Sequence, residues 1–188
     1  MDTSKLSRRP LLAGLGLAAV AGLSACATTE ESRDDSVARA QAAREDLFRQ
    51  LPAARDLAGR SAGYLIFPSV TQGAFIFGGQ FGNGVLFENS APVGFYNITG
   101  GSWGLQIGAQ SFSQAYFFTT PEALQTFRST RGFEVGVGLD FAVATVGTSG
   151  AISSSTLQKP VVVFVYGQQG LFAGVNVAGQ KITERASR

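Results

Sequence analysis

The chain has 188 residues, 45% of them hydrophobic and 15% charged, with 24 Gly, 15 Phe, one Cys and no His. That balance excludes a disordered chain and predicts one packed domain, while the missing His and lone thiol exclude His-based catalysis, Cys-rich zinc sites and an internal disulfide framework. The formal charge of +2 falls to zero when Lys5, Arg8, Arg9 and Asp2 leave with the leader described next, so the sequence pI near 8.9 is no sign of nucleic-acid binding.

Lys5, Arg8 and Arg9 open the chain, the apolar run LLAGLGLAAVAGLSA follows and Cys26 closes it, the layout of a secretory signal. The run is too short and too rich in Gly and Ala for a transmembrane helix. Leu23, Ser24, Ala25 and Cys26 resemble the bacterial lipobox, in which the thiol receives a diacylglycerol, residues 1–25 are removed and the new N-terminus is acylated. The alternative is an ordinary signal cleaved nearby, with Cys26 left free. Several acyl chains, each contributing about 0.8 kcal/mol per buried methylene, hold a protein at a bilayer where one chain does not. Ser7, Arg8, Arg9, Pro10, Leu11 and Leu12 are similar to a twin-arginine export signal, but paired arginines also occur in ordinary basic leaders, so both routes stay open. Ala27 rather than Asp follows the Cys, which in a Gram-negative envelope favours the outer membrane, facing the periplasm or the cell surface.

Residues 26–35 read as the acylated Cys and a polar tether, whose nine flexible residues would reach about 15 to 18 Å and keep the domain close to the membrane. A single domain is expected over 36–188. From Asp35 or Ser36 as N-cap, a helix is predicted to about Leu51, with Val37, Ala40, Ala43, Leu47, Phe48 and Leu51 on one stripe. Arg44, Glu45, Asp46 and Arg49 lie off that stripe, as the solvated face of a helix docked on its own domain; a membrane-seeking amphipathic helix is the competing reading. Pro52 opens a second short helix carrying Ala54, Leu57 and Ala58.

Residues 61–180 hold only seven formal charges (Glu88, Glu122, Arg128, Arg131, Glu134, Asp140 and Lys159), and the apolar period changes to two. Phe75, Phe77 and Phe81 share one parity; Trp103, Leu105 and Ile107 stand opposite Gly104, Gln106 and Gly108; Phe133, Val135, Val137, Leu139, Phe141 and Val143 stand opposite Glu134, Gly136, Gly138, Asp140 and Ala142. Val161 to Tyr166 is a continuous apolar run, expected as a central strand buried on both faces, and Leu171 to Val177 alternates again. FGNG at 81–84, ENSAP at 88–92 and GQQG at 167–170 supply turn chemistry. One inserted helix starts at Thr120 as N-cap, with Pro121 and Glu122 in its first turn, Ala123, Leu124 and Phe127 as its apolar face and Gly132 near its end. The expected architecture is α+β: N-terminal helices packed on an antiparallel sheet curled into a sandwich or open barrel.

The stretches AGYLIFPSVTQGAFIFGGQFGNGVL, VGFYNITGGSWGLQIGAQSFSQAYFF, GFEVGVGLDFAV and VFVYGQQGLFAGVNVAGQKIT resemble the SYLF domain family from about Ala54 to Thr183. The matching positions include Phe67, Pro68, Gly78, Gly79, Gly100, Gly101, Trp103, Gly104, Gln106, Gly108, Gln110, Gly136, Gly138, Gly170, Leu171 and Gly174. The family includes bacterial lipoproteins and eukaryotic proteins whose domain binds membrane lipids, phosphoinositides among them, and in some members actin. For an envelope lipoprotein the resemblance implies a domain that binds phospholipid or a membrane surface, without an enzymatic role. The basic N-terminal segment of some eukaryotic members has no equivalent here.

GGQFGNG at 78–84 lacks the Lys-Ser/Thr and the following helix of a phosphate loop, so turns and close sheet packing account for its glycines. GGSWGLQIG is a candidate lipid contact: Trp103 between glycines, with Gln106 and Gln110 on the small-residue face, against a reading with Trp103 in the core and the glutamines solvated. Arg128, Arg131, Lys159 and Lys181 are candidate partners of lipid phosphate, although the dipole of the short helix alone accounts for Arg128 and Arg131. Glu134 and Asp140 would lie about 20 Å apart on a straight strand, too far for a two-carboxylate hydrolase. The serines have no His or Lys to activate them, no calcium-loop spacing is present, and no cofactor or small-molecule substrate is expected. A scaffold binding an envelope protein, with lipid contact only through Cys26, is the alternative function, and an eight-stranded membrane-spanning barrel a third.

Overall fold

A computed structural model of the chain describes residues 32–185, apart from 76, 104–107, 131, 139, 148–152, 154 and 170–176. Cys26, the leader with Arg8 and Arg9, most of the tether, Gln106, Arg131 and nearly all of the run 171–177 lie outside the described residues, as does the side chain of Trp103. Three helices and eight strands follow in the order α1 (Arg33–Gln50), α2 (Pro52–Arg60), β1 (Gly63–Phe75), β2 (Phe77–Glu88), β3 (Ala91–Trp103), β4 (Gly108–Phe118), α3 (Pro121–Ser129), β5 (Gly132–Glu134), β6 (Phe141–Thr145), β7 (Val161–Gln169) and β8 (Lys181–Glu184).

α1 begins three to four residues earlier than the expected N-cap at Asp35 or Ser36. Ser32, not Asp35 or Ser36, is the N-cap: its Oγ accepts from Asp35 N at 3.1 Å and donates to Asp35 Oδ2 at 2.7 Å, so Asp35 serves in the first turn. The stripe itself is as read, with Ala40, Leu47 and Phe48 buried and Val37, Ala43 and Leu51 packed beside them. Arg44 departs from the solvated-face expectation. Its Nη1 donates to Tyr64 Oη at 3.0 Å and its guanidinium lies 5.6 Å over the Phe87 ring, so it is part of the seam between α1 and the sheet.

The sheet order is β5-β8-β3-β2-β1-β4-β7-β6. Every pair is antiparallel except β6 with β7, which is parallel, so the sheet is mixed. The alternating run 133–143 is not one strand. Gly136 and Gly138, at φ +96° and +79°, break it into β5 and β6, which sit at opposite edges of the sheet. Seven flat strand spacings would put those edges about 33 Å apart, whereas the seven residue steps from Glu134 to Phe141 span at most about 25 Å. The sheet therefore curls, and the result is a half-barrel. It is not a closed barrel: among the described residues no ladder joins β5 to β6, and helices cover the outer face of its central strands, which opposes a membrane-spanning barrel.

Two apolar clusters occupy the two faces. Leu65, Leu86, Ile98, Tyr116, Phe133, Val163 and Ile182, with Phe141 packed against them, face the interior, and α3 closes one end of it with Ala123, Leu124 and Phe127. α1 and α2 cover the outer face through Leu47, Phe48, Ala54 and Leu57 on Tyr64, Ile66, Phe87, Phe117 and Phe164. β7 is buried on both faces as expected. Both clusters lie wholly within Ser32–Arg188, a compact unit by itself that carries its own core.

The turn expectations divide. ENSAP makes the β2–β3 turn, with Asn89 and Ser90 at positive φ. FGNG, expected as a turn, lies inside β2: a Cβ on Gly82 would sit 2.7 Å from Ser69 O, and one on Gly84 2.5 Å from Phe67 Cδ1, so glycine serves close approach there. Gly167, at φ +62°, lies where the β4–β7 register shifts, so the described part of GQQG forms a bulge within β7.

Candidate functional site

Inside the half-barrel, away from α3, apolar side chains give way to amides. Gln80 Nε2 and Gln110 Nε2 donate to Gln72 Oε1 at 3.1 and 2.9 Å, and Gln180 Nε2 donates to Gln80 Oε1. The Tyr116 hydroxyl stands 2.8 Å from both Gln114 Oε1 and Gln180 Oε1. One phenolic proton serves one acceptor; exchanging the oxygen and nitrogen of the Gln114 amide resolves the conflict and employs Gln114 Nε2, otherwise without a partner among the described residues. Burial pushes the Tyr116 phenol well above its usual pKa, and Tyr166 shifts the same way, chiefly by burial. Gln110, read as a surface contact or a solvated residue, is therefore neither: it is 8% exposed and part of this network. Gln72, Gln80, Gln114 and Gln180 were not singled out by sequence; an amide on an otherwise apolar strand face was the available signal.

On the other face of these strands, beyond α1, side chains are exposed among the described residues. Register places Ser111, Thr71, Phe81, Thr99 and Lys181 in one row across β4, β1, β2, β3 and β8, and Ala109, Gly73, Gly79 and Gly101 in the next. Thr71, Thr99 and Lys181 are exposed, and Phe81 is 54% exposed. Among the described residues a Cβ at Gly73, Gly79 or Gly101 would meet nothing within 4 Å, and none of the three has a positive φ, so neither packing nor turn geometry there calls for glycine. The outcome is a patch of bare backbone beside an exposed aromatic ring. Its flanking cation is Lys181, set between Thr99 and Glu134. Trp103 ends the same strand as Gly101, two residues on.

Arg128 and Lys159 lie elsewhere. Arg128, in the last turn of α3, donates through Nη1 to Glu88 Oε1 at 2.6 Å, and Lys159 pairs with Asp140 at 2.6 Å. A Cβ on Gly63 would stand 3.3 Å from Glu88 Cγ, which puts the Arg128 pair at the start of β1, about 30 Å along that strand from Gly73. Lys181 thus joins the Phe81 patch, whereas Arg128 and Lys159 do not. Glu134 and Asp140 stand on separate segments with separate neighbours, and among the described residues no group of three or more Asp, Glu, Cys or His could hold a metal.

Comparison with known proteins finds similarity to one family model and to several yeast proteins. Residues 99–188 match the family model Ysc84, described as Las17-binding protein actin regulator. LAS seventeen-binding protein 3 of Saccharomyces cerevisiae is 28% identical over 138 residues, 69% of this chain and 30% of that protein. Protein YSC84 of the same yeast is 28% identical over 125 residues, 62% of this chain and 26% of that protein. An SH3 domain-containing protein of Schizosaccharomyces pombe is 28% identical over 130 residues, 64% and 30% of the two chains. The chain spans less than a third of the length of these curated relatives.

Proposed function

We propose, from the premise that the chain belongs to the SYLF family, that it is a non-enzymatic module which docks on phospholipid, held at a bacterial envelope membrane by an acylated Cys26. The observation that carries the reading is the outer patch: three fold-neutral glycines in register on neighbouring strands, with half-exposed Phe81 beside them. A side-chain-free surface lets an acyl chain or headgroup lie against backbone, an aromatic ring is suited to the interface between hydrocarbon and water, and Lys181 supplies charge for anionic headgroups. The leader of residues 1–25, with Leu23-Ser24-Ala25 before Cys26, supports anchoring near the same surface and, with Ala27 next, an outer-membrane address.

The test is co-flotation of residues 27–188 with zwitterionic and anionic vesicles at low and high salt. Binding without Cys26, reduced several-fold by Phe81→Ser and weakened by salt, is the expected result. A folded domain that ignores every vesicle would sink the reading. Metabolic labelling with palmitate, retained in the parent and lost in Cys26→Ala, checks the anchor. A protein-binding scaffold is the second reading, favoured by the printed names of the yeast relatives; capture of an envelope protein by a Phe81→Ser chain that no longer floats would select it.

A further inference from the structure

At the other end of the unit, α3 and the entry to β1 enclose an open groove of about 560 Å³, lined by Ala62, Pro121, Leu124, Gln125, Arg128 and Ser129. That volume suits one small ligand. The lining is segregated along the helix: Ala62, Pro121 and Leu124 make an apolar floor at its start, and Gln125, Arg128 and Ser129 bring polar groups toward its end. Gly63 forms the junction. A Cβ there would lie 3.0 Å from Phe87 O, 3.1 Å from Leu124 Cδ2 and 3.3 Å from Glu88 Cγ, so its absence lets α3 and Glu88 approach the strand together.

Arg128 is half exposed, and its hydrogen bond among the described residues uses one of five guanidinium donors, Nη1 to Glu88 Oε1. Glu88 marks where a carboxylate sits on that cation. The negative end of the α3 dipole disfavours an anion, so any anion preference of the groove rests on the Arg128 charge.

We propose that this groove binds an amphiphile with one anionic head and one acyl chain, such as a fatty carboxylate or a long-chain phosphate monoester. The chain lies on Ala62, Pro121 and Leu124, the head takes the free donors of Arg128, and Glu88 competes with it. The site is separate from the Phe81 patch, about 30 Å away along β1, and the two stand or fall independently.

Titration of residues 27–188 with monomeric dodecyl phosphate tests it, with dodecanol and butyl phosphate as the headless and tailless controls. One molecule of dodecyl phosphate binds per chain, and each control binds at least about tenfold more weakly. Arg128→Gln lowers dodecyl phosphate to the level of dodecanol, Glu88→Gln tightens it several-fold, and Gln125→Trp, at an exposed position, fills the groove and abolishes binding with the circular dichroism spectrum unchanged. Equal binding of dodecanol and dodecyl phosphate, or saturable binding untouched by Gln125→Trp, overturns the proposal, as does no binding to the folded parent chain. Anionic vesicle flotation in the Phe81→Ser background, where the patch is disabled, separates the sources: residual flotation that Gln125→Trp removes identifies a bilayer lipid as the ligand, and residual flotation that it leaves unchanged, or none, identifies a free amphiphile. Phe81→Ser, which tests the patch, leaves dodecyl phosphate binding intact.

Discussion

Glycines that look alike in sequence do opposite work in this sheet. Gly82 and Gly84 face the interior, where an added Cβ would meet Ser69 O at 2.7 Å and the Phe67 ring at 2.5 Å, while Gly79, on the outer face of the same strand, would meet nothing. Gly82→Ala is therefore expected to destabilise by about 1 to 3 kcal/mol, because the obstacle is backbone and cannot rotate away. Gly79→Ala should stay within about 0.5 kcal/mol of the parent or gain slightly from a less flexible unfolded chain. Urea midpoints decide; equal losses at the two positions would remove the argument that the outer glycines are kept for contact rather than for folding. Period-two spacing shows that 79 and 82 face opposite ways, but which face is inside depends on where α1, α3 and β8 pack.

At the scale of elements, local chemistry was legible at the openings of the two short helices and at the β2–β3 turn, but not at the α1 cap, which is Ser32, nor at FGNG and the described part of GQQG, which lie inside strands. Thr120, accepting from Ala123 N at 3.2 Å, opens α3 as its sequence indicates, and Pro52 opens α2. The run 133–143 also misleads, because alternation continues across two glycines at positive φ, a conformation that a hydrophobic pattern does not register. β8 was not read because its four residues are too few to show a period and its pairing with β3 is remote in sequence. The connection between β5 and β6 yields its own prediction. Gly136→Val should destabilise the whole unit, since φ +96° strains a β-branched residue and its Cβ would already stand 3.4 Å from Phe141 Cε1. Thermal unfolding followed by far-ultraviolet circular dichroism reads this as a lowered midpoint, and an unchanged midpoint would mean that the segment is not under that constraint.

For the whole molecule, the two faces of the sheet unfold as one cooperative unit if the interior polar network is as closed as it stands. Tyr116 is fully buried, and burial holds its phenol neutral well above the ordinary value of 10.0. A phenol whose folded pKa is raised contributes stability that is fully present below the unfolded value and is lost as pH rises from about 10 toward the folded one. Alkaline titration should show phenolate absorbance from the buried tyrosines rising together with loss of circular dichroism. Phenolate formation near pH 10 by every tyrosine of a chain that keeps its spectrum would contradict the burial. The same closure explains why Gln110 was misplaced by sequence. An amide among small residues is polar on paper, yet here its neighbours across β1 and β2 are amides as well, and they hydrogen-bond one another in the buried interior.

The sequence by itself determined the local grammar: the α1 stripe, the opening of α2 at Pro52, the Thr120 cap of α3, the turn at Asn89 and Ser90, the buried run of β7 and the blocks of Gly and Phe that carry the family resemblance. These depend on residues within a few positions of one another, where spacing and side-chain chemistry suffice. Only the tertiary structure decided which strands are neighbours, that β5 and β6 take opposite edges of a curled sheet, that Gln110 turns inward while Phe81 turns out, and that Arg128 and Lys181 serve different ends of the unit. Strand pairing joins residues far apart in the chain, and a repeating pattern says which side chains share a face without saying what covers it.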